Sequence, residues 1–153
     1  MRKAAAAFLA MAVLAVPAGA QTARPMLDYA SAAKIRDGCV AWAGERKLAV
    51  AVAVFDERGT LMAFALMDGA ASAVGGYAQW KGRSAATIHV ASKETAEWGR
   101  GPPGLATWEG GTPVFSTAGV PLGGVGVSGA ESAEDAACGQ AGIAAAGLSN
   151  TKG

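Results

Sequence analysis

Apolar side chains recur with helical spacing from Leu27 to Arg46, where Leu27, Ala30, Ala33, Ile35, Val40, Ala41 and Trp42 make one buried side. Asp28 stands near the start of that helix and Gly44 loosens its end. The period then changes. Leu48 to Phe55 is β-branched and almost wholly apolar, as a central strand is, and Asp56 to Gly59 reads as a turn. Thr60 to Met67 returns as a second strand and closes a hairpin, followed by a loop of small residues to Gly76. Tyr77 to Trp98 is the longest helical stretch, and Gly99 to Thr112, with Pro102 and Pro103, is a long loop. Val114 to Ser116 and Val120 to Val127 predict a second hairpin turning at Ala118 and Gly119. Ser132 with Asp135 resembles a capping box that opens a last helix through Ala146, and Gly147 stops it. Ser149 to Gly153 reads as a frayed tail. The order α, hairpin, α, loop, hairpin, α predicts an α+β fold with a mainly antiparallel sheet.

The glycines at 124, 126 and 129 fit the G-x-G-x-x-G spacing of a dinucleotide site. That site needs a further strand and an acidic residue about 20 positions on. Between Gly129 and Gly153 the pattern holds a helix and no strand. The glycines are read instead as positions where a strand packs closely under a helix.

Composition and charge narrow the class. Arg2 and Lys3, an apolar run from Ala4 to Val16 and the small residues Ala18 to Ala20 form a secretory signal pattern. Residues 1–20 are therefore expected to be a signal peptide and residues 21–153 one domain, exported to the periplasm or secreted. The 13 Lys and Arg nearly balance the 12 Asp and Glu, so no basic face for nucleic acid is implied. Cys39 and Cys138 fall on the first and last predicted helices. An oxidising compartment permits a bridge between them if those helices lie side by side; two buried thiols are the alternative.

Few residues suit catalysis. Ser128 lies near a G-x-S-x-G elbow, but Ala130 replaces the last glycine and the single histidine, His89, lies upstream. One histidine and two distant cysteines make a poor zinc set. Asp56, Glu57 and Asp68 adjoin the first hairpin, where solvated turn carboxylates are the ordinary reading. His89 is a better candidate, because haem iron needs only one or two protein donors. Its helix also carries Tyr77, Trp80 and Lys81, with Met62 and Met67 on the preceding strand. The alternative is a helix histidine half-covered by its neighbours.

Four segments together resemble one known family. The hairpin from Val50 to Gly69, the helix segment from Lys81 to Ala86, Gly110 to Val114, and Gly123 to Gly129 with Glu134 and Asp135 beyond are similar, in order and spacing, to the GlcG/HbpS-like haem-binding proteins. The resemblance implies a profilin-like sandwich, an antiparallel sheet with helices on both faces, often in homo-oligomers. It implies haem binding, with extracellular haem sensing or sequestration. The chain is therefore read as binding haem or a similar planar tetrapyrrole for sequestration, sensing or uptake, without turnover of its own. Met67, Asp68, Gly69, Lys81, Gly110, Gly111 and Pro113 match the family pattern and carry over as pocket candidates. Leu66, Trp80, Gly82 and His89 depart from it. His89 or Tyr77 is expected to donate to iron, and Lys81 or Arg83 to meet a propionate. The alternative is an enzyme or accessory protein acting on a small hydroxy- or oxo-acid, with carboxylates from Asp56, Asp68 or Glu94 and Lys81 as anion anchor. A third reading is a structural oligomer with an incidental ligand.

Overall fold

A computed structural model describes residues 23–153; the expected signal peptide lies outside the described residues. The elements are α1 (Tyr29–Glu45), β1 (Ala51–Asp56), β2 (Leu61–Leu66), α2 (Val74–Ile88), α3 (Ser92–Glu97), β3 (Gly111–Phe115), β4 (Pro121–Ser128) and α4 (Ser132–Ala145). The two hairpins join through β1 and β4 into one sheet of order β2-β1-β4-β3, antiparallel throughout. Helices α1 and α4 cover one face and α2 covers the other. This is the expected α+β sandwich.

Strand alternation explains the layers. On β1, Val50, Val52 and Val54 join Val125 and Val127 of β4 in the core under α1 and α4. The intervening Ala51, Ala53 and Phe55 face α2 beside Ala78 and Ala86. The register sets Gly126 opposite Ala53 and Gly124 opposite Phe55, so at these two positions β4 shows α2 only backbone. A Cβ on Gly126 would collide with the Ala78 carbonyl and the Gly82 amide, and a Cβ on Gly82 would stand 2.7 Å from the Ala53 carbonyl. The glycines of the apparent fingerprint therefore serve close packing: Gly124 and Gly126 meet α2, not the helix that follows them, and Gly129 meets the backbone of Ala49 and Val50.

Across the sheet, Cys39 and Cys138 form a disulfide with their Cα atoms 4.8 Å apart. It ties α1 to α4 where Gly142 meets the Ile35 carbonyl. At the tip of the first hairpin, the buried Asp56 carboxylate accepts from the Arg58 and Thr60 amides, at 2.9 and 2.8 Å. Gly59 takes the positive φ of 78° that this turn requires.

Four expectations change. The buried side of α1 is formed by Ala32, Ile35, Cys39 and Ala43, while Ala30 and Ala41 are exposed. The helix expected from Tyr77 to Trp98 is two helices, α2 and α3. His89 ends α2 in the left-handed region (φ 58°), its amide bonded to the Ala85 carbonyl. A periodic pattern is blind to a break that keeps side chains near the same face. The capping box of α4 uses Glu131 and Glu134 in place of Ser132 and Asp135, because Asp135 turns inward. Ser149 is no frayed residue: it exchanges both backbone hydrogen bonds with Phe115, docking the tail on β3. Among the described residues no helix is long and apolar enough to cross a membrane.

Candidate functional site

The predicted site residues do not converge on one point. Tyr77, Lys81 and Arg83 lie on α2 and His89 caps its end, and the helix distributes these four to different places. Tyr77, in its first turn, is exposed and packs edge-on against Trp108, with centroids 5.4 Å apart. Trp108 also meets Trp80 edge-on at 6.0 Å. His89 lies at the opposite end, about 18 Å along the axis from Tyr77. The two cannot ligate one iron from the same side.

Lys81 points into the protein. Its ammonium donates to the Asp135 carboxylate and the Val127 carbonyl, at 2.9 and 3.0 Å, and stands 3.5 Å from the Ser128 hydroxyl. The Lys81 and Asp135 side chains are each only 3% exposed. Burial raises the Asp135 carboxyl above its usual range, against the opposing pull of Lys81. Lys81 is thus an internal cross-link between α2, β4 and α4, with its ammonium turned from any surface ligand. For the same reason Ser128 faces no free base. Gly110 and Gly111 wrap this cross-link, since a Cβ on Gly110 would stand 2.9 Å from the Lys81 nitrogen.

Met67 packs against the core under α1 and α4, while Asp68 and Gly69 are exposed in the turn after β2. Asp56 and Asp68 lie at opposite ends of the first hairpin, about 20 Å apart. Asp56 is already committed to its turn. No carboxylate pair for acid–base work forms from these two.

Two clefts open around the end of α2, and Ile88 borders both. The first, about 520 Å³, is bounded by Phe55, Trp80, Arg83, Thr87 and the loop from Pro102 to Leu105. The second, about 540 Å³, brings His89 together with Pro113, Phe115, Pro121, Glu94 and Lys152. Its apolar walls come from β3 and β4, and its outer rim from Asn150, Thr151 and Lys152. The His89 Nε2 is buried and has no hydrogen-bond partner. Leaving such an atom unpaired costs roughly 1–3 kcal/mol. Of the predicted residues, this cleft unites His89 with Pro113 and with Glu94, a carboxylate of the small-acid alternative, and the first cleft takes Arg83. The tail residues were missed because a short polar terminus carries no periodic signal. Asp135 was missed as a partner of Lys81 because 54 positions separate them in sequence.

Among the described residues no group of three or more His, Cys, Asp or Glu could hold a bare metal ion. A porphyrin needs no such group, since its own nitrogens supply most of the coordination. The orphaned imidazole, apolar walls and rim cation of the second cleft suit a haem.

Comparison with known proteins agrees on the scaffold. The crystal structure of HbpS superimposes with a TM-score of 0.76 at 30% identity, covering 86% of this chain and 97% of that one. A double mutant of Streptomyces reticuli HbpS gives the same score and identity over 88% and 97%. PduOC, solved as a haem complex, superimposes with a TM-score of 0.75 at 22% identity, over 83% and 99%. No curated protein matches the sequence. Residues 27–144 match the sequence profile of the family described as "Haem degrading protein HbpS-like", and the chain belongs to that HbpS-like family.

Proposed function

We propose that this protein binds haem, or a similar planar tetrapyrrole, in the cleft between His89 and β3, and handles it outside the cytoplasm. The buried, unpartnered Nε2 of His89 carries this reading. His89 is also held in a left-handed conformation costing on the order of 1–3 kcal/mol, a kind of strain that clusters at functional sites. Bound haem would supply a redox-active iron centre. His89 would hold that iron, Pro113, Phe115 and Pro121 would supply the apolar walls, and Lys152 would be the cation available to a propionate. Lys152 would take the role that the sequence reading gave to Lys81 or Arg83. The family's description and the haem complex of the PduOC relative support the ligand class. The signal pattern of residues 1–20 supports export to the periplasm or medium, for sequestration, sensing or uptake.

Haem titration of the processed protein tests this. A Soret shift that saturates in wild type and loses its axial-nitrogen signature in His89→Ala is expected. No Soret shift in wild type removes haem; an unchanged spectrum and affinity in His89→Ala removes the ligand assignment. Because the family description names degradation, the loaded protein is also followed with time and a reductant. A stable Soret band supports binding without turnover, and progressive bleaching that requires His89 shows an enzyme.

A further inference from the structure

We infer that the first cleft, between α2 and the Pro102–Leu105 loop, is a separate binding site for a small monocarboxylate with an aromatic or aliphatic body, and that Arg83 is its anion partner. The cleft's volume of about 520 Å³ lies in the range of small-molecule sites. Phe55 and Trp80 provide apolar surface on the α2 side, and Pro102, Pro103 and Leu105 provide the opposite wall. Arg83 is the one charged side chain on its lining. It makes no ion pair among the described residues, whose ion pairs involve Arg36, Arg46, Lys81 and Lys93. An unpaired guanidinium over an apolar floor, with no acid opposite, selects a ligand with one anionic end.

The wall is held in place before any ligand arrives. Buried hydroxyls pin the loop that carries it: Ser84 accepts from the Ala106 amide at 2.9 Å, and Thr95 donates to the Ala106 carbonyl. Ser92 donates to the Trp108 carbonyl at 2.6 Å and accepts from the Gly111 amide at 2.8 Å. A long loop rich in glycine and proline gains a fixed shape from these contacts, which lowers the ordering cost of binding. Arg83 is steadied as well, because its stem packs against Gly59, where a Cβ would lie 3.2 Å from Nε.

The site is independent of haem binding. Benzoate and hexanoate are titrated into the processed protein by calorimetry, with Trp fluorescence as a second signal, and benzamide serves as the uncharged control. Saturable binding of at least one carboxylate is expected, with affinity about 10-fold or more weaker in Arg83→Met and for benzamide on wild type. Arg83→Lys should recover part of the loss, and His89→Ala should leave carboxylate binding unchanged. Arg83 is exposed, so the variant is expected to keep the wild-type circular dichroism and melting temperature. No saturable binding of either carboxylate, equal binding of benzamide, or undiminished binding to Arg83→Met would each overturn the assignment. Competition between haem and benzoate would overturn the separation of the two sites.

Discussion

The two faces of the sheet are built on opposite principles. Under α1 and α4, valines from β1 and β4 interlock with Ile35 and Ile143, and a disulfide joins the covering helices. Under α2 the contact is backbone to backbone through Gly82, Gly124 and Gly126, with alanines around it. A helix lowered so far onto a sheet packs tightly along its middle. Along its second half, where Phe55 replaces the alanines, one cleft opens toward the Pro102–Leu105 loop, and at its end, by Phe115 and the tail, the other opens. One face is made for stability, and the other leaves room for ligands at its margin.

The largest test of this contrast is removal of the disulfide. Closing a loop with a sequence separation of 99 stabilises the fold by about 4–5 kcal/mol in the chain-entropy treatment. Cys39→Ser with Cys138→Ser should lower urea stability by an amount of that order and leave haem spectra of the folded fraction unchanged. A changed Soret band would show that the two faces are not independent.

A smaller effect is expected from Gly126→Ala on the other face. The new methyl collides with the Ala78 carbonyl and lifts α2, and overpacking of this kind costs roughly 1–3 kcal/mol. Here ligand binding should weaken along with stability, because α2 carries both His89 and Arg83. Full binding in a destabilised Gly126→Ala protein would break the comparison.

The smallest expected effect is pH dependence at the link between the faces. Burial raises the folded-state Asp135 carboxyl above its unfolded value of 3.8. The folded chain therefore holds this proton more tightly than the unfolded chain. Stability from Asp135 is fully present below pH 3.8 and is lost as pH rises through the raised value. Urea melts between pH 3 and pH 7 (roughly the span over which perturbed carboxyls titrate) should show wild type losing stability relative to Asp135→Asn as pH increases. An equal slope in both proteins would refute the burial effect.

How much was legible depends on the range of the interaction. The capped first helix and both hairpins rest on neighbouring residues, and Asp28 does accept from the Ser31 amide at 2.7 Å. The helix expected through Trp98 failed because one left-handed residue, His89, breaks a helix without disturbing its pattern. Site residues fared worst. Lys81 looks like a surface cation in any local window, and only the fold sets it beside Asp135.

By itself, the sequence determined the order of elements, the antiparallel α+β class and the family, because period, turn chemistry and motif spacing are local properties. It also limited the chemistry to what one histidine and two cysteines allow. Tertiary structure alone decided which cations are buried, that the two cysteines meet, and that the tail and His89 share a cleft. Those outcomes depend on residues brought together across the sheet, and no local pattern encodes the distance between them.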